Sequence, residues 1–69
     1  MPHIAITMYP GRNHAVKEAL ANKMQDTLIE ELGVPKEAVS VSIMDIEKDK
    51  WDEEFEKIPK DIIFINPED

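Results

Sequence analysis

No cysteine occurs anywhere in the 69 residues, so neither disulfides nor thiolate metal sites are available to this chain. Glycine is nearly as scarce. The two present, Gly11 and Gly33, are too few and too far apart for a phosphate-cradling loop. His3 and His14 are the only histidines, and without a nearby cysteine they do not make a metal site; no metal and no cofactor are expected. Basic residues are outnumbered, eight Lys and Arg against 15 Asp and Glu, for a net charge of -7. Such a balance repels nucleic acid and anionic membranes, so neither is expected as a partner. No apolar run reaches the length of a membrane span. The opening Met1-Pro2-His3-Ile4 carries neither the basic nor the apolar region of a secretory signal, which makes a cytoplasmic chain the expectation.

What is present fits one small domain, residues 1–69. A domain of this size buries only about 60% of the surface its unfolded chain exposes, and with disulfides and metal set aside, association with further copies is the expected support.

Ile4, Ile6 and Met8 alternate with His3, Ala5 and Thr7, the period of a strand with two different faces. Tyr9-Pro10-Gly11-Arg12-Asn13 then predicts a turn, with Asn13 suited to cap a helix. Val16, Leu20, Met24, Leu28 and Leu32 recur every four residues with Ala19 beside them, predicting an amphipathic helix of about five turns. Gly33 suits its left-handed cap and Pro35 blocks continuation. Val39, Val41 and Ile43 against Ser40 and Ser42 predict a second strand, which ends or bulges near Met44 and Ile46 where the alternation slips. Two strands joined by a long helix form a βαβ unit with parallel strands and a right-handed crossover. The class is therefore α/β (α+β), two parallel strands and one long helix. Trp51, Phe55 and Ile58 predict a short second helix ending about Pro59, and Ile62 to Ile65 a short strand or extended arm. The sheet face bearing Ala5, Thr7, Ser42 and Met44 is small or apolar, and is expected to pack on a partner subunit.

Pro2 has the largest chemical consequence. Excision of Met1 would expose a secondary amine, and a terminal amine at the start of a buried strand loses proton affinity through desolvation. An unperturbed one titrates at about 7.7 to 8, so a modest fall leaves a free base at neutral pH. A chain that keeps Met1 has instead a tertiary amide there, with no basic lone pair.

Pro2 at the head of an alternating strand, the Gly11-Arg12 pair before a long helix, a Val-rich second strand and then Trp51 resemble the 4-oxalocrotonate tautomerase family over roughly Pro2 to Trp51. The tail with Trp51, Phe55 and Ile58-Pro59 looks closest to its PptA-like dimeric branch. The resemblance implies a cofactor-independent tautomerase that interconverts the enol and keto forms of a small 2-keto acid, such as phenylpyruvate or a 2-hydroxydienoate. Pro2 would be its general base and acid, Arg12 would grip the substrate carboxylate, and Trp51 would wall the pocket and keep it apolar. An arginine beside the positive end of a helix is locally unfavourable, which gives Arg12 a reason beyond folding. Many members carry a second arginine where this chain has Ser40. A hydroxyl donates one hydrogen bond without charge, so a monocarboxylate fits better than a dicarboxylate, with Lys48 or Lys50 as alternative sources of charge.

His3 faces either the pocket or the sheet and is expected to be structural. The resemblance further implies a homo-oligomer, a dimer sharing a four-stranded sheet in preference to a hexamer. Two alternatives remain: a dehalogenase or hydratase of the same superfamily, and a non-catalytic acidic oligomeric interaction module.

Overall fold

The computed structural model describes residues 1–68. Strand β1 spans His3–Met8, helix α1 His14–Leu32, strand β2 Ser40–Asp45 and helix α2 Trp51–Phe55, with single 3₁₀ turns at Lys36–Ala38, Lys48–Lys50 and Lys60–Ile62. The strands pair in parallel, with His3 opposite Ser40 and Met8 opposite Asp45. The ladder runs slightly beyond the strands: the Ser40 N–H donates to the Pro2 carbonyl at 3.2 Å, and that of Ile46 to the Met8 carbonyl at 2.8 Å.

Local chemistry sets the helix ends. The Asn13 side-chain oxygen accepts from the Val16 N–H at 3.0 Å, satisfying a donor that has no partner inside the helix. At the other end Gly33 takes φ 66° and donates its N–H to the Ile29 carbonyl, a conformation that a Cβ would strain. Asn13→Ala should cost about 1 kcal/mol, read as a lower urea midpoint at unchanged slope.

Every-fourth spacing overstates the buried stripe of α1. Four residues turn about 400° at 3.6 residues per turn, so each step drifts about 40° and two steps about 80°. Val16 and Leu32 therefore slide off either side of the face centred on Met24, and both are exposed. The half-buried face is instead Leu20, Ala21, Met24, Leu28 and Ile29, with Ala21 rather than Ala19 turned inward. It packs against β2. Lys17 ties the helix to the end of that strand through Asp45 at 2.7 Å.

The core lies between α1 and the sheet face bearing Ile4, Ile6, Met8, Val41 and Ile43, all half-buried. Among the described residues only Val39 and Ile46, which flank β2 on either side, fall to 8% and 7% exposure. The opposite face is open, and Met44 there is 60% exposed. After Pro59 the segment expected as a strand or extended arm forms instead the turn Lys60–Ile62, followed by bends at Phe64 and Ile65, which are 95% and 89% exposed. The described chain exposes 5947 Å². A folded monomer of 7.9 kDa would expose about 4,400 Å². Among the described residues no helix is long and apolar enough to cross a membrane.

Candidate active site

β1 separates the predicted site residues into two groups. Pro2 stands at its head, half-buried, with its carbonyl bonded to the Ser40 N–H. Pro2 and Ser40 are therefore neighbours across the strand pair. Arg12 lies beyond the other end of the strand, in the turn before α1, and a six-residue strand rising about 3.3 Å per residue spans about 20 Å.

Around Arg12 the chain builds an open cavity of about 530 Å³, lined by Thr7, Met8, Tyr9, Arg12, Leu20 and Trp51. Trp51 meets the Tyr9 ring edge-on at 5.1 Å and stacks on Phe55 at 6.2 Å. It thus divides this cavity from a smaller one of about 160 Å³, lined among others by Met44, Ile46, Phe55 and Ile58. Trp51 therefore lines the cavity and packs on Phe55 from one position. Lys48 Nζ sits 5.4 Å from the centre of the Tyr9 ring, within cation–π range; this places Lys48 at the Arg12 end and away from Ser40.

The electrostatics of that end favour an anion. Arg12 has no carboxylate partner among the described residues. The first turn of α1 holds no acidic residue, so the partial positive charge of the helix terminus is not offset there. An apolar, aromatic wall beside an unpaired guanidinium suits a small planar carboxylate.

Pro2 and Ser40 line neither cavity. Ser40 stands on the open sheet face, where His3 Nδ1 is 2.7 Å from Ser40 Oγ and His3 Nε2 is 3.0 Å from Ser42 Oγ. His3 thus faces the sheet, bridging two serines, a contact that sequence spacing alone did not reveal. Tyr9 was missed too, although a tyrosine directly after a strand and before the Gly11-Arg12 turn is a signal for a residue at the strand mouth. Among the described residues no three His, Asp or Glu side chains gather to hold a metal.

Comparison with known proteins places the chain. Residues 1–52 match the family model described as tautomerase enzyme. Over 51 residues the chain is 37% identical to the 2-hydroxymuconate tautomerase of Pseudomonas putida, covering 74% of this chain and 81% of that one. It is 35% identical over 51 residues to a "Probable tautomerase" of Xylella fastidiosa, again 74% of this chain but 62% of the relative, so it spans less than two thirds of that protein's length. Among solved structures, TomN, a 4-oxalocrotonate tautomerase homologue in the tomaymycin biosynthetic pathway, superposes with a TM-score of 0.70 at 32% identity, over 72% of this chain and 77% of TomN. A structure from work on the 4-oxalocrotonate tautomerase isozymes of Methylibium petroleiphilum gives 0.69 at 36% identity, over 72% and 81%. The matched span takes in both strands, the long helix, Pro2, Arg12, Ser40 and Trp51, and the chain belongs to the 4-oxalocrotonate tautomerase family of tautomerase-type isomerases.

Proposed function

We propose that this chain, once Met1 is removed, is a cofactor-independent keto-enol tautomerase for the enol of a small 2-keto monocarboxylate, of the phenylpyruvate or 2-hydroxydienoate kind. The observation that carries the reading is the position of Pro2 at the head of β1, held there by the bond from Ser40. A secondary amine at that point takes the enol hydroxyl proton as the C2–O bond becomes a carbonyl, and returns a proton to C3, where the electron pair of the C2–C3 double bond has moved. Atoms and electrons balance without a co-reactant.

One chain alone does not bring Arg12 to Pro2, because about 20 Å of strand lies between them. A second copy running the other way does, placing the Arg12, Tyr9 and Trp51 end of one protomer against the Pro2 and Ser40 end of its partner. The exposed surface supports this arrangement. It exceeds that of a folded monomer by about 1,500 Å² per chain, on the scale of a permanent homodimer interface. The open sheet face and the Phe64-Ile65 arm carry much of the apolar part. Ser40 supplies no charge beside Pro2, which is why one carboxylate, held by the partner's guanidinium, is the favoured substrate.

The test is ketonisation of phenylenolpyruvate and of 2-hydroxymuconate, followed by loss of enol absorbance. Processed protein should turn over the monocarboxylate at the higher kcat/KM, and no turnover of either would refute the assignment. Arg12→Ala should raise KM roughly tenfold to a hundredfold, as expected for loss of a charge-assisted contact, with a smaller change for the methyl ester of the same enol.

A further inference from the structure

The smaller cavity behind Trp51 takes no part in the keto-enol chemistry. On the sheet side it is lined by Thr7 and Met44, which face each other across the strands on the open face. Ile46, Trp51, Phe55 and Ile58 wall it, and it holds about 160 Å³. A cavity of about 150 Å³ with Leu, Ile and Phe walls takes up a benzene ring, so one phenyl group is the guest that this size and lining suit. We propose that the guest is Phe64 of a second copy, each chain of a pair seating its C-terminal arm on the other. This rests on the pairing of copies proposed above and not on the keto-enol reading.

Phe64 is 95% exposed and Ile65 beside it 89%, a cluster of apolar surface of the kind that marks a contact site. The chain's own arm is held elsewhere at its root. Ile63 is half-buried and, with Phe55, Ile58 and Lys60, lines a separate groove, which leaves the next ring in solvent. A substrate is the poorer guest. No cation lines the cavity, whereas Glu54 does, so a carboxylate has no partner there. The arm also has the reach. Trp51 to Ile58 rises about 10 Å as helix and turn, and the six steps to Phe64 add at most about 20 Å; together they cover the strand length of about 20 Å between the two ends of the sheet face. The chain exposes about 1,500 Å² more than a folded monomer, and Met44 at the cavity and Phe64 on the arm both belong to that surface.

Trp51 divides this cavity from the one around Arg12. A ring seated behind it braces the wall of the Arg12 cavity from the partner's side. Phe55, Ile58 and Phe64 lie beyond the residues 1–52 that match the family model, so the family likeness does not supply this contact.

In the experiment, unlabelled processed chain is unfolded and refolded with an equal amount of chain carrying isotope-labelled phenylalanine. Isotope-filtered NOE spectra then report contacts between labelled and unlabelled chains alone. Labelled Phe64→Leu identifies the Phe64 signals, because Phe55 is then the single phenylalanine left. Contacts are expected from the Phe64 ring to the Met44 methyl and the Trp51 indole of the unlabelled chain. Sedimentation of Phe64→Asp, with circular dichroism unchanged, should show pairing weakened about a hundredfold or more, since two arms are lost at once. A Phe64 ring that contacts only its own chain, or that meets neither group in a chain that still pairs, overturns the proposal and leaves the pairing standing. So does Phe64→Asp that pairs as tightly as wild type. Wild type that sediments as a monomer overturns both. Turnover of phenylenolpyruvate is read separately: an inert pair that shows the contact removes the tautomerase assignment and supports the seat of Phe64.

Discussion

A chain whose terminus is extended ahead of Pro2, so that its nitrogen remains an amide, should ketonise phenylenolpyruvate about 10²- to 10⁴-fold more slowly than the processed chain, the contribution of a well-placed general base. The cause is the loss of a basic lone pair and nothing else, because the nitrogen lies at the margin of the fold and Met1 is fully exposed. Folding and association should be unchanged. Pro2→Ala should lose less, since it keeps a terminal amine but gives up the ring that fixes the nitrogen relative to β1. The order of rates, processed above Pro2→Ala above extended, is the signature; stopped-flow measurement of enol decay checks it. Three equal rates would mean that the amine takes no part.

The second large effect concerns mixing. The extended chain has an intact Arg12 and a blocked Pro2, whereas Arg12→Ala has a free Pro2 and no guanidinium. If each site draws Pro2 from one protomer and Arg12 from the other, a mixed dimer holds one intact site and one with both defects. Equimolar unfolding and refolding makes half of the dimers mixed, so about a quarter of the wild-type sites return. Assayed well below the KM of Arg12→Ala, the mixture should greatly exceed the sum of its components. Were both residues drawn from one chain, mixing would restore no activity. The length of β1, about 20 Å, makes exchange the expected result.

The elements of this fold were legible because each has a local cause. Asn13 and Gly33 mark the helix ends through backbone donors and a left-handed φ, and the alternations at 3–8 and 39–43 mark the strands. The site was less legible for a physical reason. Strand register pairs His3 with Ser40, 37 residues apart, and a slip of one residue would send every side chain to the other face. Nothing in the local spacing of His3, Ser40 or Ser42 fixes that register. The contact of Tyr9 with Trp51 likewise depends on where the Lys48–Lys50 turn returns the chain after β2. The family resemblance joins Arg12 and Pro2 in one site, whereas about 20 Å of strand lies between them in one chain, which is why the proposed site draws on a second copy. The exact four-residue repeat from Val16 to Leu32 is wider than the buried stripe it predicts, because a drift of about 40° per step moves both end residues off it.

The most direct measurement is a titration of the Pro2 nitrogen in processed protein, by nitrogen NMR on chain labelled at proline. A site closed by the aromatic wall and the guanidinium of the partner disfavours the ammonium through both desolvation and like charge. The amine should then lose its proton clearly below the ordinary range of about 7.7 to 8, and kcat/KM should rise with pH through the same point. A nitrogen that titrates within or above that range, or activity that ignores its titration, would contradict the assignment of Pro2 as the base.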